Sequence, residues 1–199
     1  MVRLSNVPLT YYAPALFGFS SMPDPANEEL AGVILLGSVA SVHDGHAWQK
    51  TLEAWCSKVI SRDVPLLGIC YGHQMIAHMF GGRVVYARDD RQKLRGTRSM
   101  RVNSDSLHLV NNEMSLIVTH NEIVTAVPHE FEVMASSKEV EIEGLHHKNK
   151  PLFTMQAHPE ATLDFVRSRE MLDAKALDAI HSGNLFMGKF FDFVSKRDS

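Results

Sequence analysis

The stretch Pro65-Leu66-Leu67-Gly68-Ile69-Cys70-Tyr71-Gly72-His73-Gln74-Met75 decides how this chain is read. An apolar run, Val64 to Ile69, comes first. It is short, bounded by Pro and Gly, and reads as a buried strand. Met75, Ile76 and Met79 then recur at helical spacing. Cys70 therefore stands on a sharp turn from strand to helix, inside a G-x-C-x-G pattern made by Gly68 and Gly72. This is a nucleophile-elbow arrangement with Cys in place of Ser. The two glycines allow a tight turn and leave room around the side chain. The N-terminal N–H groups of the following helix point at the sulfur and favour the thiolate. Taken alone, Cys70 is more simply an inert buried thiol, the usual fate of a free Cys.

A second stretch, far downstream, changes that reading. Gln156-Ala157-His158-Pro159-Glu160 follows an apolar run, Leu152 to Met155, so it too lies at a strand end. It supplies a base, His158, and an acid two residues on, Glu160. Pro159 stiffens the link between them.

Together these motifs resemble those of the class I glutamine amidotransferases, whose pattern is G-x-C-x-G-x-Q followed by H-P-E. Gly68-Ile69-Cys70-Tyr71-Gly72-His73-Gln74 and His158-Pro159-Glu160 match it in full and in order. Two further stretches are similar but less sharp. Val33-Ile34-Leu35-Leu36-Gly37-Ser38 looks like the family's oxyanion strand, and Val118-Thr119-His120-Asn121-Glu122-Ile123-Val124 like its S-H-x-D-x-V segment, with Glu122 for the usual Asp. The resemblance spans roughly Gly32 to Val166. In outline it is similar to the glutaminase part of GMP synthetase and its stand-alone relatives.

The resemblance implies a catalytic triad of Cys70, His158 and Glu160. It places the backbone N–H groups of Ser38 and Tyr71 in an oxyanion hole, and gives Gly37, Gln74, His120 and Asn121 to substrate binding. The family loop commonly carries Gly-Gly-Pro where this chain has Gly37-Ser38-Val39. A turn that required a positive φ would strain Ser38. No metal or organic cofactor is implied. The substrate is glutamine or another γ-glutamyl compound. Family members usually pass the ammonia to a second active site, so the implied partner is an ammonia-accepting synthetase subunit. Two other readings stay open: a γ-glutamyl peptide or γ-glutamyl-amine hydrolase using the same triad, and a non-catalytic relative that binds a partner.

Outward from the elbow, His46 to Ser61 reads as a helix carrying Trp48, Leu52, Trp55 and Val59 at core spacing. The elbow helix runs through Phe80 and stops at Gly81-Gly82. Arg83 to Tyr86 is a short strand. Arg88, Arg91, Lys93, Arg95 and Arg98 lie in or beside a basic loop, Ala87 to Thr97, that reads as a solvated face or a docking surface. Thr97 to Val102, Ser115 to Thr119, Glu132 to Ser136, Val140 to Gly144 and Leu152 to Gln156 read as strands. Ala161 to Ile180 reads as a helix that Ser182-Gly183-Asn184 breaks, followed by a Phe-rich helix, Leu185 to Val194. Val7 to Tyr12 reads as a strand, within a first unit, residues 1–30, that is atypical or truncated for the family. His146 and His147 are neighbours, but no Cys or carboxylate sits at a ligand spacing from them.

Strands alternating with helices in the first half indicate an α/β fold: a three-layer sandwich with a mostly parallel central sheet and helices on both faces. By resemblance the architecture is flavodoxin-like. At 199 residues the chain fits a single domain, 1–199. A formal net charge of −3 gives no electrostatic case for nucleic acid or an anionic membrane. No apolar run is long enough to span a bilayer. Two cysteines, Cys56 and Cys70, make no disulfide framework, and a thiol nucleophile suits the reducing cytoplasm. A homo-oligomer is compatible with the sequence.

Overall fold

The computed structural model describes residues 5, 8–105 and 107–197. In chain order the first elements are α1 (Pro14–Phe17), β1 (Val33–Leu35), α2 (Ala47–Ser61), β2 (Leu66–Ile69), α3 (Tyr71–Met79) and β3 (Arg83–Tyr86). A β-rich section follows: β4 (Leu94–Ser104), β5 (Leu109–His120), β6 (Glu122–Ala126), β7 (Phe131–Ser136), β8 (Gly144–His147) and β9 (Leu152–Met155). Two helices, α4 (Leu163–Ser168) and α5 (Ala176–Arg197), close the described chain.

The main sheet has seven strands in the order β1-β2-β9-β8-β7-β4-β5, and β3 pairs with β6 in a separate ribbon. β1, β2 and β9 are mutually parallel, while the pairs from β9 to β5 are antiparallel. Alternating those pairings leaves β4 and β8 reversed and the other five strands running one way. This is the α/β fold that the strand–helix alternation indicates, with the parallel register confined to the strands beneath Cys70 and His158. Residues on successive positions of β2 and β9 point to opposite faces. Leu67, Ile69, Phe153 and Met155 pack with Phe186, Met187 and Phe190 of α5 on one face. Leu66 and Leu152 pack with Cys56, Val59, Met75 and Ile76 of α2 and α3 on the other. The result is helix, sheet and helix in three layers.

The long β4–β5 hairpin curls over α5, burying Met100, Val102, Met114, Leu116 and Val118 in the α5 core. The curl carries the far edge of the sheet back to the site, where an isolated bridge joins Ile117 of β5 to His158.

Several boundaries differ from those read in the sequence. β4 and β5 are longer, because their solvent-facing alternate positions are polar and mask the ladder. Residues 140–143 precede the strand expected there, which is β8 instead. β6 is a further strand, beyond the one read at Ser115 to Thr119. Residues 8–12 form no strand, and Val7 lies outside the described residues. The break expected at Ser182-Gly183-Asn184 falls instead at residues 169–175, and α5 runs through Gly183 without interruption. Gly183 meets a packing need: a Cβ there would run into the carbonyl of Pro159. Phe186, Phe190 and Phe191 are core. Among the described residues no helix is long and apolar enough to cross a membrane.

Gly72 tests how closely α3 must seat. A Cβ at this position would penetrate the carbonyl of Leu35 in β1, whereas a Cβ at Gly188 in α5 would meet nothing within 4 Å. Gly72→Ala should lose about 1–3 kcal/mol through overpacking. Gly188→Ala should be neutral or gain up to about 1 kcal/mol from helix propensity. Urea denaturation of the two variants measures both.

Candidate active site

Cys70 is the residue between β2 and α3, with φ 53° and ψ −102°. A positive φ is costly for a side-chain-bearing residue and persists only where the surroundings enforce it. Three contacts enforce it here. The Cys70 N–H donates to the carbonyl of Met155 (2.8 Å), its own carbonyl accepts from Gln74 N–H (3.1 Å), and the two motif glycines pack face to face. A Cβ at Gly68 would lie 2.7 Å from the Gly72 carbonyl oxygen. The G-x-C-x-G spacing thus lets the first turn of α3 press onto β1 and β2, which lifts the Cys70 side chain to the carboxyl ends of the parallel strands.

His158 is held from two sides. Its N–H donates to the Ile117 carbonyl (2.8 Å), and its Nδ1 meets Glu160 Oε1 at 2.8 Å. His158 Nε2 has no hydrogen-bond partner among the described residues. Gly37 shows how near the thiol and the imidazole are: a Cβ there would lie 3.1 Å from His158 Cε1, 3.5 Å from Cys70 Cβ and 3.8 Å from Cys70 Sγ. Phe165 of α4 covers the ring, with centroids 5.3 Å apart. Burial pushes the His158 pKa down, but Cys70 and Glu160 outweigh it and hold the imidazole up at about 10. Two other buried histidines lack such neighbours. Burial, and then the approach of His120, lowers His73 to about 3; burial, and then Arg98, lowers His120 to about 4.

The remaining sequence-derived residues arrange around this centre. Gly37 and Ser38 are exposed at the end of β1, and Ser38 Oγ accepts from Ala40 N–H (3.1 Å). Ser38 is not among the described non-glycine residues with positive φ, so the strain anticipated for it does not arise. Tyr71 opens α3, its hydroxyl accepting from Gln49 Nε2 (3.0 Å). Gln74 is buried and donates from Nε2 to the Glu122 carbonyl (2.8 Å). His120 lies at the end of β5 with both ring nitrogens engaged, and the Asn121 carbonyl accepts from Ala87 N–H (2.8 Å). Ser41 Oγ donates to Glu122 Oε1 (2.8 Å), clipping the loop after β1 to the β5–β6 turn. Cys56 is fully buried in the α2 core, and burial raises its thiol to about 12.

Arg98 corrects the sequence reading. It belongs to a basic run that reads as solvated, yet it is only 7% exposed and pairs with the fully buried Glu143 (Nη1–Oε1 2.8 Å). Arg88, Arg91, Lys93 and Arg95 are exposed as expected. The signal lies in the alternation: Arg98 shares its strand parity with buried Met100 and Val102. Gln156, buried beside Gln74, carries no such signal.

The family model described as glutamine amidotransferase class-I matches residues 14–178. The chain belongs to the class I glutamine amidotransferases. Among its relatives, one of the subunits of the glutamine-hydrolysing GMP synthase of Methanopyrus kandleri is 30% identical over 138 residues, 69% of this chain and 71% of that one. The glutamine-hydrolysing GMP synthase of Borrelia garinii is 29% identical over 156 residues, 77% of this amidotransferase but only 27% of that longer protein. The crystal structure of a glutamine amidotransferase from Thermotoga maritima superposes with a TM-score of 0.69 at 17% identity, covering 85% of this chain and 84% of that one. At that identity the likeness speaks for the shared fold.

The three buried histidines predict opposite pH dependences. His158, with a raised folded pKa, adds stability that is complete below its unfolded value near 6.5 and is lost as pH rises towards 10. His73 and His120, with lowered values, add stability present above pH 6.5 and lost as pH falls towards 4 and 3. Nitrogen-15 NMR should show His158 holding its proton into the alkaline range, and Glu160→Gln should move that titration to lower pH. Titration of His158 near 6.5 in the wild-type chain would contradict the pairing.

Proposed function

We propose that this amidotransferase hydrolyses the γ-carboxamide of glutamine through a γ-glutamyl thioester on Cys70 and delivers the ammonia to a separate synthetase subunit. The observation that carries this reading is the meeting of Cys70, Gly37 and the Glu160-bound His158 at the ends of the parallel strands, on a family fold. In an α/β sheet those ends are where ligands bind.

The steps follow from the groups present. The Cys70 thiolate attacks the γ-carbonyl carbon, and the C=O electrons move onto oxygen. Backbone N–H groups of Tyr71 and Ser38 face the developing oxyanion, where fixed donors are worth most because they need no reorganisation. His158, an imidazolium at neutral pH by virtue of Glu160 and Cys70, gives its proton to the departing nitrogen, and the C–N bond breaks to release ammonia. Neutral His158 then takes a proton from water, whose oxygen attacks the thioester. Glutamate leaves, and Cys70 thiolate and the imidazolium are restored. Glu160 keeps the imidazole oriented and stabilises its charged form. Gln74, Asn121 and the backbone beyond His120 hold the α-end of the substrate.

Free ammonia is protonated at neutral pH and is then no nucleophile, so a coupled acceptor must sit nearby. That the Methanopyrus relative is named as a subunit supports a partner chain. The rim around Cys70 supplies a surface: the loop after β1, where Val39 is 91% exposed, and the basic loop bearing Arg88, Arg91, Lys93 and Arg95. Loops at strand ends are where such contacts are placed.

Ammonia release from glutamine, measured on the purified chain alone and with cell extract, tests the reading. Cys70→Ala should lose activity by at least about a thousandfold, as for removal of other nucleophiles, with an unchanged urea midpoint. A glutamine-like diazoketone should alkylate Cys70 and spare Cys56. Stimulation by extract that disappears on charge reversal of Arg88 and Arg91 would support a coupled partner. Activity on γ-glutamyl peptides with none on glutamine would overturn the assignment in favour of a peptide hydrolase.

A further inference from the structure

Behind the substrate side of the site lies a buried polar chain to which the proposed mechanism gives no task. Arg98 Nη1 lies 2.8 Å from Glu143 Oε1 and 3.3 Å from His120 Nε2. Glu143 Oε1 also accepts from Ser137 Oγ (2.8 Å). The other nitrogen of the His120 ring, Nδ1, lies 3.0 Å from the Glu122 carbonyl oxygen. That same carbonyl accepts from Gln74 Nε2 (2.8 Å). Arg98, His120 and Glu143 are 7%, 3% and 0% exposed, so these contacts lie out of bulk solvent.

The donor and acceptor identities fix the proton on His120. A guanidinium can only donate, so Nε2 must present its lone pair to Arg98. A carbonyl can only accept, so Nδ1 must carry the hydrogen. The charged form, with N–H at both positions, would set Nε2–H against a guanidinium N–H. Only one tautomer of the neutral ring satisfies both neighbours. Through it the guanidinium reaches the Glu122 carbonyl, the point at which the β5–β6 turn and the elbow helix residue Gln74 meet. Glu143, with the more exposed Glu139 4.0 Å from Arg98 Nε, supplies the counter-charge that lets a guanidinium stand in the core.

We propose that Arg98 and Glu143 are positioning residues for substrate binding: they lock His120 as the Nδ1–H tautomer, and the locked ring fixes the Glu122 carbonyl and Gln74 amide that shape the pocket for the α-end of glutamine. The inference rests on the glutamine reading above. Neither Arg98 nor Glu143 touches Cys70 or His158 in the contacts described, so the pair acts on binding and not on bond breaking. Interactions equal in ground and transition states change affinity at constant turnover.

A buried ion pair can also be purely structural, and removing one partner alone strands the other charge. The test therefore removes both. Arg98→Met with Glu143→Met replaces the pair by apolar side chains, which buried ion pairs tolerate well, and leaves His120 without its donor. Two readouts follow. Nitrogen-15 NMR of histidine-labelled protein, with the His120 signals assigned by His120→Gln, reports the tautomer. Alkylation of Cys70 by the glutamine-like diazoketone separates KI from kinact without needing a partner chain. The wild type should show Nδ1–H at His120. The double variant should show mixed tautomers, a KI raised about tenfold, the weight of one lost hydrogen bond to a charged group, and a kinact within about twofold of wild type. An Nε2–H tautomer in the wild type overturns the proposal without any variant. So does a folded double variant that keeps either the wild-type tautomer or the wild-type KI. Absence of labelling in the wild type sinks the glutamine reading and with it the purpose assigned to the pair, whereas labelling with an unmoved KI sinks the positioning role alone.

Discussion

The architecture depends on how closely the first turn of α3 lies against β1 and β2. With no Cβ at Gly68 or Gly72, the helix backbone reaches the Gly68 strand and the Leu35 carbonyl directly. That approach leaves the residue between strand and helix no ordinary conformation, and Cys70 is forced to φ 53°. The strain is stored at the one position where a side chain must stand clear of both elements. The neighbouring layers follow from it. α2 and α3 pack on one face of β2 and α5 on the other.

Electrostatic environment then separates three histidines that burial alone would treat alike. His73, His120 and His158 are all nearly inaccessible, and for each the loss of water opposes the charged form. Glu160 meets the Nδ1 of His158 and Cys70 lies beside the ring, and together they outweigh the loss of water. His120 faces a cation. His73 shares its Nδ1 with the Thr154 hydroxyl at 2.7 Å and finds no charge to oppose desolvation. One imidazole is thereby kept charged and two neutral within one continuous polar interior, which is how residues of the same type take different tasks.

The parts legible in the sequence are those whose constraint is local. The G-x-C-x-G turn and the H-P-E segment are legible because the residue types each needs stand within a few positions of one another. The run from Arg83 to Tyr86 and the helix from Ala47 to Ser61 are legible because their periodicity is undisturbed. What is not legible is set by distant parts of the chain. Gly183 looks like a helix breaker, and only the carbonyl of Pro159, brought against it by folding, gives the small residue its reason. The ends of β4 and β5 are polar because the hairpin faces water on one side. Arg98 looks like its exposed basic neighbours until Glu143, forty-five positions on, provides the buried carboxylate.

The curl of the β4–β5 hairpin bears on the order in which the molecule is made. Ile117 belongs to the outermost strand of the sheet, yet its carbonyl anchors His158. Gly183, in the last helix, braces Pro159 from behind. The turn at Cys70 needs Leu35 and Met155 beside it, and the imidazole at its side is fixed only when the farthest strand and the final helix have both docked. Contacts of such long sequence separation form late and slowly. A half-folded chain therefore has neither the cysteine turn nor the imidazole in its final place. Competence arrives together with the finished fold, so an incomplete molecule has no means of spending glutamine.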